Sequence, residues 1–158
     1  FGKRLYPLTN NTPKPLLEVG EKPILENIIE RFISQGFYNF YISLHHFSDQ
    51  LKDYFGDGSK WGVNIIYIIE DKPLGTAGCI SLLDDEDKEL VMVINADIVS
   101  DIDFNSISIF HNEKLNDITI PVSKYSHQIP FGVINFDKEL NYKNLKEKPI
   151  LDYFVMNL

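Results

Sequence analysis

The feature that most constrains the fold is a repeated change between the helical and the strand spacing of apolar residues. Between Ile24 and Ile33, apolar side chains recur every three or four positions, which predicts a helix with one buried face. Tyr38–Leu44 and the β-branched stretch Val63–Ile69 predict strands. A second helix is predicted between them, around Phe47–Phe55, with glycines at 56 and 58 to end it. Helices and strands therefore alternate along this part of the chain.

The rest of the chain continues the alternation. A turn around 73–75 leads into a short helix ending at Leu83, and the apolar run Leu90–Ile94 predicts a central parallel strand covered on both faces. A further helix is predicted over Asp103–Leu115, and the remaining predicted strands are Asp117–Ser123, Phe131–Phe136 and Tyr142–Glu147. This order predicts an α/β fold: a Rossmann-like open, mostly parallel (mixed) sheet with helices on both faces.

Length and composition limit the class of protein. The 158 residues fit one domain with a substantial core, and no repeat or linker stands out, so residues 1–158 are predicted to form a single domain. Cys79 is the single cysteine, which excludes an internal disulfide framework. No apolar run approaches the roughly 20 residues of a membrane span, and no charged-then-apolar leader opens the chain. We therefore expect a cytoplasmic protein without membrane contact.

The charge distribution points to a small anionic ligand. A net charge of −8 argues against a nucleic-acid partner, which would require a basic face. Residues 1–17 nevertheless hold Lys3, Arg4 and Lys14 and no acidic residue. A local cationic segment in an acidic protein favours a compact anion over a polymer.

Arg4 and Lys14 are separated by a loop that contains prolines at 7, 13 and 15. Such a stiff loop would hold two cations at a defined separation, as the clamping of a polyphosphate requires. Gly2 would let backbone N–H groups approach phosphate oxygens closely. A frayed N-terminal loop with both cations in solvent explains the same residues equally well.

Two further candidate segments follow predicted strands. Pro73–Gly78 reads Pro-Leu-Gly-Thr-Ala-Gly, and its simplest interpretation is a turn with Thr76 as the N-cap of a short helix. Asp97 lies just past the apolar run that ends at Ile94. It is either a solvated carboxylate at a strand end or a ligand-binding group, because open α/β sheets bind ligands at the carboxyl ends of their strands.

The opening segment resembles the signature of the sugar nucleotidyltransferase family, usually written G-G-x-G-T-R-L-x-P-L-T…P-K-P. The matching residues are Gly2–Leu5, Pro7–Thr9 and Pro13–Leu17. Pro73–Gly78 resembles the family's base-recognition segment, in the Leu-Gly-Thr-Ala-Gly form familiar from guanylyltransferases of the GDP-mannose type. Neither a G-x-x-x-x-G-K-[ST] phosphate loop nor a G-x-G-x-x-G fingerprint occurs, which removes the commonest rival nucleotide folds.

Later segments resemble the same family in the same order. Val93–Asp97 is similar to the N-G-D metal motif, with Ala96 in place of glycine. Phe131–Val133 resembles the Y-G-V segment and Glu147–Pro149 resembles the E-K-P segment, both of which hold the sugar phosphate. The resemblance therefore extends from Gly2 to Pro149.

This resemblance implies roles for the nucleotide-binding residues. Arg4 would contact the triphosphate and assist the departure of pyrophosphate, and Lys14 would bridge the phosphates of the two substrates. Gly75 and Gly78 would let the base lie close to the backbone, with Thr76 beside it.

For the other substrate, the resemblance implies that Lys148 meets the sugar phosphate while Glu147 and the Gly132 backbone contact sugar hydroxyls. Asp97 would bind Mg²⁺. The implied activity joins an NTP to a sugar-1-phosphate and releases pyrophosphate, with GTP favoured over UTP. A homo-oligomer is compatible with the resemblance, which fixes no oligomeric state.

A different class of function is also open. The leading glycines of the signature and a second metal-binding aspartate are not found, so the chain is expected to be a domain truncated at both ends. It could then be an inactive fragment or pseudoenzyme that binds nucleotide or sugar phosphate without turnover.

Overall fold

The computed structural model describes residues 5–44, 48–88, 90–98 and 100–156. The chain divides into two compact units, the first ending at Asn112 and the second beginning at Glu113. Each unit has its own strands and its own hydrogen bonds. The prediction that residues 1–158 form a single domain stays a prediction.

The first unit is built on α1 (Ile24–Ser34), which lies at the predicted place. Gly36, in the left-handed region at φ +89°, follows the helix and ends it as expected. Just before the helix, β1 (Glu18–Val19) and β2 (Lys22–Pro23) form a short antiparallel hairpin that the sequence patterns did not predict. The predicted apolar face of α1 is buried through Ile24, Leu25, Ile28, Ile29 and Phe32.

Two parallel strands form the larger sheet of this unit. β3 (Asn39–Leu44) and β4 (Asn64–Ile69) pair along their whole length, with the first residues of the two strands opposite each other. α2 (Ser48–Phe55) lies between them in the chain and supplies the crossover that a parallel pair requires. The predicted strand, helix and strand are therefore all present.

Two clusters of buried side chains stabilise the first unit. One joins α1 and α2 to both strands of the sheet, and the other joins α1 to α3 (Phe104–Lys114). In the second cluster the ring of Phe104 stacks on that of Phe32, with 3.9 Å between the centroids. Among the described residues no helix is long and apolar enough to cross a membrane. Helices packed on open sheets, with parallel and antiparallel pairs, confirm the predicted α/β class.

The prediction of a central strand over Leu90–Ile94 is wrong. Residues 91–95 follow an irregular path and form no ladder with a neighbouring strand. The side chains still pack where a strand would put them, since Met92 and Ile94 contact the second cluster and Ala96 contacts the first. The apolar run correctly predicts that these side chains pack against the core. A strand also needs hydrogen-bonded backbone partners, which a hydrophobic pattern does not specify.

The second unit consists of two antiparallel pairs. β5 (Ser123–Gln128) pairs with β8 (Ile150–Val155), and β6 (Val133–Phe136) pairs with β7 (Tyr142–Lys146). The turn between β6 and β7 is closed by the Asp137 carboxylate, which accepts hydrogen bonds from backbone N–H groups of the turn. β6 and β7 lie within the stretches predicted for them, whereas β8 was not predicted.

The prediction of a strand over Asp117–Ser123 is also wrong. Its alternating apolar residues, Ile118, Ile120 and Val122, are all exposed, and β5 begins only at Ser123. Pro121 lies in the middle of the alternation and has no N–H to donate to a ladder. The alternation alone was therefore not sufficient for a strand.

Candidate active site

The loop segment around Lys14 is anchored at two points, Asn11 before it and Leu16 after it. On α2, the Gln50 side-chain amide donates a hydrogen bond of 3.1 Å to the carbonyl of Asn11. Lys14–Leu16 then form one 3₁₀ turn that follows Pro13. Leu16 at the end of this turn packs against the first core cluster. The stiff loop expected from the prolines is therefore also anchored to the core by an apolar side chain.

Lys14 and Asp97 contact each other directly. The Lys14 ammonium forms an ion pair with the Asp97 carboxylate, across 83 positions of sequence. Asp97 lies in a tight turn, in which the Ile98 N–H donates to the carbonyl of Asn95 at 3.4 Å. The structure thus brings together the predicted catalytic cation and the predicted metal ligand, whose roles remain predictions.

This ion pair is accessible to solvent and can be separated. The side chains of Lys14 and Asp97 remain 39% and 33% exposed. Ion pairs at this degree of exposure contribute little to stability, about 0–1 kcal/mol. Either side chain can therefore exchange its partner for a phosphate or a cation at small cost to the fold.

The chain that follows Asp97 is held by the last turn of α1. Arg31 on this helix forms an ion pair of 3.0 Å with Asp101, and one of its guanidinium N–H groups donates to the Ile102 carbonyl at 3.2 Å. Gln35 donates to the same carbonyl at 3.3 Å and accepts from the Phe104 N–H at 2.7 Å. These contacts fix the segment downstream of the Asp97 turn.

Asp103, the first residue of the helix predicted over Asp103–Leu115, caps α3, which begins at Phe104. Its carboxylate accepts hydrogen bonds from the backbone N–H of Ser106 at 3.0 Å and from the Ser106 hydroxyl at 2.7 Å. These two bonds lower the pKa of Asp103 below its usual 3.8, with the hydroxyl bond as the larger cause. Asp103 is therefore committed to the start of α3.

The Pro73–Gly78 loop is exposed at its tip. Gly75 is in the left-handed region at φ +83°, and Thr76 and Ala77 form an exposed turn. The 3₁₀ segment begins at Gly78 with Ala77 in the cap position, so the predicted N-cap role of Thr76 is wrong. A methyl group added to Gly78 would lie 2.7 Å from Cβ of Leu74, which explains why the smallest residue is needed there.

Sequence analysis missed Glu70, which organises this loop. Glu70 follows β4 directly, and its N–H donates to the Leu44 carbonyl at the end of β3 at 2.8 Å. Its carboxylate accepts the Leu74 N–H at 2.9 Å and also the Ser43 hydroxyl. The available signal was an acidic residue placed directly after an apolar strand and before the Gly-rich loop.

Two predicted residues, Gly2 and Arg4, lie outside the described residues. Their roles at the phosphates stay predictions. Within the described part of the chain, the structure therefore places Lys14, Asp97, Gly75, Thr76 and Gly78 in the first unit.

In the second unit, Gly132 and Glu147 lie next to each other. A methyl group added to Gly132 would be 3.1 Å from a carboxylate oxygen of Glu147 and 3.0 Å from Cδ1 of Leu145. Lys148 forms the bend after β7 at φ +43°, and its carbonyl accepts the Gln128 side-chain amide at 3.4 Å. The three residues predicted to hold sugar phosphate are thus exposed neighbours at one end of the β6–β7 pair.

Comparison with known proteins shows the family of the chain. Residues 1–154 match the model of the family described as nucleotidyl transferase. The mannose-1-phosphate guanylyltransferase catalytic subunit beta of Drosophila pseudoobscura pseudoobscura is 34% identical over 153 residues, covering 94% of this chain and 41% of that protein. The bifunctional protein GlmU of Methanococcus maripaludis is 31% identical over 157 residues, covering 99% of this chain and 36% of that protein. The chain thus spans less than half the length of these curated relatives.

A solved structure shows the same fold. The crystal structure of HddC from Yersinia pseudotuberculosis superposes with a TM-score of 0.62 and covers 92% of this chain and 64% of that chain. At 24% sequence identity this likeness supports the fold alone. Since the family model matches nearly the whole sequence, the resemblance found in the motifs is confirmed, and the chain belongs to the nucleotidyl transferase family.

Proposed function

We propose that this chain carries the nucleotide-binding part of a sugar-1-phosphate nucleotidyltransferase. Its activity would couple an NTP to a sugar-1-phosphate, giving an NDP-sugar and pyrophosphate. The observation that carries the proposal is the contact between Lys14 and Asp97. A polyphosphate site needs both a cation and a carboxylate that can hold a metal, and two separately predicted residues meet in that combination.

The names of the relatives support this activity and favour GTP. One relative is a mannose-1-phosphate guanylyltransferase, and its similarity covers both Lys14 and Asp97 within 94% of this chain. The preference for guanine over uracil rests on this relative and on the Leu-Gly-Thr-Ala-Gly sequence of the loop.

The reaction needs no nucleophilic side chain. An oxygen of the sugar-1-phosphate attacks the α-phosphorus of the NTP, and a new P–O bond forms there. The bond from the α-phosphorus to the bridging oxygen breaks, and that oxygen leaves with the pyrophosphate. Because the attacking phosphate is already an anion, catalysis consists of positioning and charge neutralisation.

Lys14 supplies a positive charge that can change its partner during this reaction. In the structure it is held by Asp97, in an exposed pair that costs little to open. When substrates bind, the Lys14 ammonium would leave Asp97 and contact phosphate groups of both substrates. This shared contact would hold the two phosphate groups close to each other. Arg4 would add a second cation near the departing pyrophosphate, and Gly2 would add backbone N–H groups.

Asp97 is the residue that would hold Mg²⁺. The described residues contain no group of three His, Cys, Asp or Glu side chains that could hold a metal by themselves. A single accessible carboxylate still fits Mg²⁺, which is commonly bound by one or two carboxylates together with substrate phosphates. When bound, the ion would neutralise phosphate charge.

The remaining predicted residues would hold the rest of the two substrates. The exposed residues Gly75 and Thr76, with Gly78 at the start of the 3₁₀ segment, would lie against the base. In the second unit, the exposed neighbours Gly132, Glu147 and Lys148 would contact the sugar-1-phosphate.

The test is pyrophosphate release with Mg²⁺, comparing GTP, UTP, CTP and dTTP with several sugar-1-phosphates. Lys14→Ala should lower turnover about 100-fold, because a charged contact made in the transition state is lost. The free energy of unfolding should change by less than about 1 kcal/mol, because the ion pair is exposed. Lys88→Ala is the matched control, since the Lys88 side chain is exposed to a similar degree as that of Lys14 and forms an ion pair of 2.9 Å with Asp85.

Each outcome separates the alternatives. Release with one base supports the transferase and names its nucleotide. A folded chain that binds nucleotide without releasing pyrophosphate would favour the binding-only alternative. If Lys14→Ala lost stability and turnover to the same extent, or behaved like Lys88→Ala, the catalytic role of Lys14 would be wrong.

A further inference from the structure

One cluster of buried side chains supports both residues of the Lys14–Asp97 pair. Leu16, two positions after Lys14, packs against the first core cluster. Ala96, the residue before Asp97, packs against the same cluster. The cluster also contains Leu51 of α2. The contact between the ammonium and the carboxylate therefore depends on how their two loops lie on this cluster and on α2.

The helix α2 is a firm support for a loop that lies against it. Its Leu51 and Phe55 side chains are only 4% and 2% exposed. On the same turn, the Tyr54 hydroxyl donates a hydrogen bond to the carboxylate of Glu26, a buried residue of α1. Packing and this hydrogen bond together fix α2 to α1. A side chain on α2 can therefore hold a loop in a constant position.

Gln50 connects α2 to the loop on the upstream side of Lys14. Its side-chain N–H donates to the carbonyl of Asn11 at 3.1 Å, across 39 positions of sequence. On the downstream side, the Ile24 N–H at the start of α1 donates to the Leu17 carbonyl at 2.9 Å. The segment that carries Lys14 is thus held between the two helices. Without the contact from Gln50, its upstream half could move away from α2 while its downstream half stayed in place.

We propose that Gln50 is a positioning residue that keeps the Lys14 ammonium at the place where the phosphates of the two substrates meet. This inference rests on the proposed function, in which Lys14 contacts both phosphates. It adds a residue that lies outside every matched motif and that acts through the backbone of Asn11. Because the reaction depends on holding two phosphates close together, a small displacement of their shared cation should lower the turnover number.

The contact requires an N–H donor on a side chain of the right length, which allows a matched pair of substitutions. Gln50→Met keeps an unbranched side chain that suits a helix, but it has no N–H to donate. Gln50→Ala removes the side chain beyond Cβ as well. The control is Asp53→Ala, which removes an exposed carboxylate from the same helix. Since both positions are exposed, all three substitutions should leave the unfolding temperature nearly unchanged.

The experiment measures the placement of Lys14 and the turnover separately. Trace acetylation with acetic anhydride, read by mass spectrometry, gives the rate of modification of Lys14 relative to Lys88, which forms its own exposed ion pair. Lys14 reacts when it is released from Asp97, so a faster rate reports a loop that is less well held. Pyrophosphate release with Mg²⁺ gives kcat and KM for the NTP and the sugar-1-phosphate that the wild type uses best. Thermal unfolding is followed on every variant.

We expect Lys14 to be acetylated about fivefold faster in Gln50→Met and Gln50→Ala than in the wild type, the effect of losing one neutral hydrogen bond, and kcat to fall by a similar factor. KM for the NTP should change less than kcat, because the cation is displaced and not removed. Asp53→Ala should match the wild type in every measurement.

The outcomes separate this inference from the proposed function. A wild-type chain that turns over, while Gln50→Met keeps the wild-type kcat or the wild-type acetylation rate of Lys14, would overturn the inference alone. An equal rise in the acetylation of Lys14 and Lys88 would indicate a general loosening of the fold and would overturn it too. If the folded wild-type chain released no pyrophosphate with any nucleotide, the proposed function and this inference would both be wrong.

Discussion

The two units of the chain differ in how far they bury their apolar side chains. In the first unit, Phe55 and Ile29 are each 2% exposed, and helices cover the inner side of the parallel pair. In the second, Phe154 is 73% exposed and Ile150 is 64% exposed, although both lie on a strand. Packing therefore stabilises the first unit, whereas the second depends mainly on its backbone ladders.

Side-chain contacts across the strand pairs of the second unit include polar ones. Ser126 donates to Asp152 across the β5–β8 pair at 2.6 Å, and Lys124 forms an ion pair with the same carboxylate at 2.8 Å. Asn135 donates to Asn144 across the β6–β7 pair at 2.6 Å. A packed core can hold site residues from distant segments, while ladders bring together only residues on adjacent strands. The Lys14–Asp97 pair and the Gly132–Glu147 neighbours illustrate the two cases.

The largest expected effect tests this difference in burial. Phe55→Ala should lower the free energy of unfolding by about 3–5 kcal/mol, because it leaves a cavity in a packed cluster. Phe154→Ala should change it by no more than about 0.5 kcal/mol, because that ring is mostly in water. Urea unfolding followed by the fluorescence of Trp61, which packs against the first cluster, reports on the first unit, and circular dichroism reports on the whole chain.

Equal losses for Phe55→Ala and Phe154→Ala would contradict the comparison. They would mean that the exposed strand face contributes as much to stability as the packed cluster does. Tyr153→Ala removes the neighbouring aromatic side chain on β8, which is half-exposed, and serves as the control within the second unit.

A pair of glycines gives the next test, with one glycine in each unit. Gly78→Ala places a methyl group 2.7 Å from Cβ of Leu74, which is close to the backbone and has little freedom to move. The strain should cost about 1–3 kcal/mol or shift the loop, and nucleotide affinity should fall. Gly132→Ala meets only the flexible ends of Leu145 and Glu147, at 3.0 and 3.1 Å.

Gly132→Ala should therefore leave stability nearly unchanged but displace the Glu147 carboxylate. We expect it to raise KM for the sugar-1-phosphate while KM for the NTP stays the same, and Gly78→Ala to show the opposite pattern. Steady-state kinetics with each substrate varied in turn measures the split. The assignment of the two sites would be wrong if both variants affected the same substrate.

Local patterns predicted the local parts of this structure. The helix over Ile24–Ile33 was found at Ile24–Ser34, because its buried face is determined by spacing within one segment. The strand predicted for Leu90–Ile94 was not found, because a ladder depends on a partner elsewhere in the chain. β8 was missed although Ile150–Val155 is rich in residues that favour strands, and it exists through pairing with β5.

The candidate site shows the same difference between what local sequence determines and what depends on a distant partner. Lys14 and Asp97 could be identified singly from motifs, but nothing in the sequence placed them in contact, since 83 positions separate them. Glu70 could not be identified by a motif at all. Its role depends on the end of the β3–β4 ladder and on a backbone N–H four residues downstream, and only the folded chain brings these together.

The smallest expected effect concerns two aspartates, one in each unit, whose surroundings are alike. Hydrogen bonds from Ser106 lower the pKa of Asp103, and those from Asn141 lower the pKa of Asp137, both from the usual 3.8. A carboxyl whose pKa is lower in the folded state stabilises that state above its unfolded pKa, and this contribution is lost as the pH falls through the folded pKa. Protection of the Ser106 and Asn141 amides should therefore decrease between about pH 5 and about pH 2.

Asp103→Asn keeps a capping side chain but cannot titrate, so it should flatten the pH dependence at Ser106 and leave that at Asn141 unchanged. Asp137→Asn should do the reverse. Hydrogen exchange read by NMR at each pH measures both amides in one sample. If either substitution flattened both profiles, acid would be unfolding the two units together, and the distinction between a packed unit and a ladder-dependent unit would not extend to their stability.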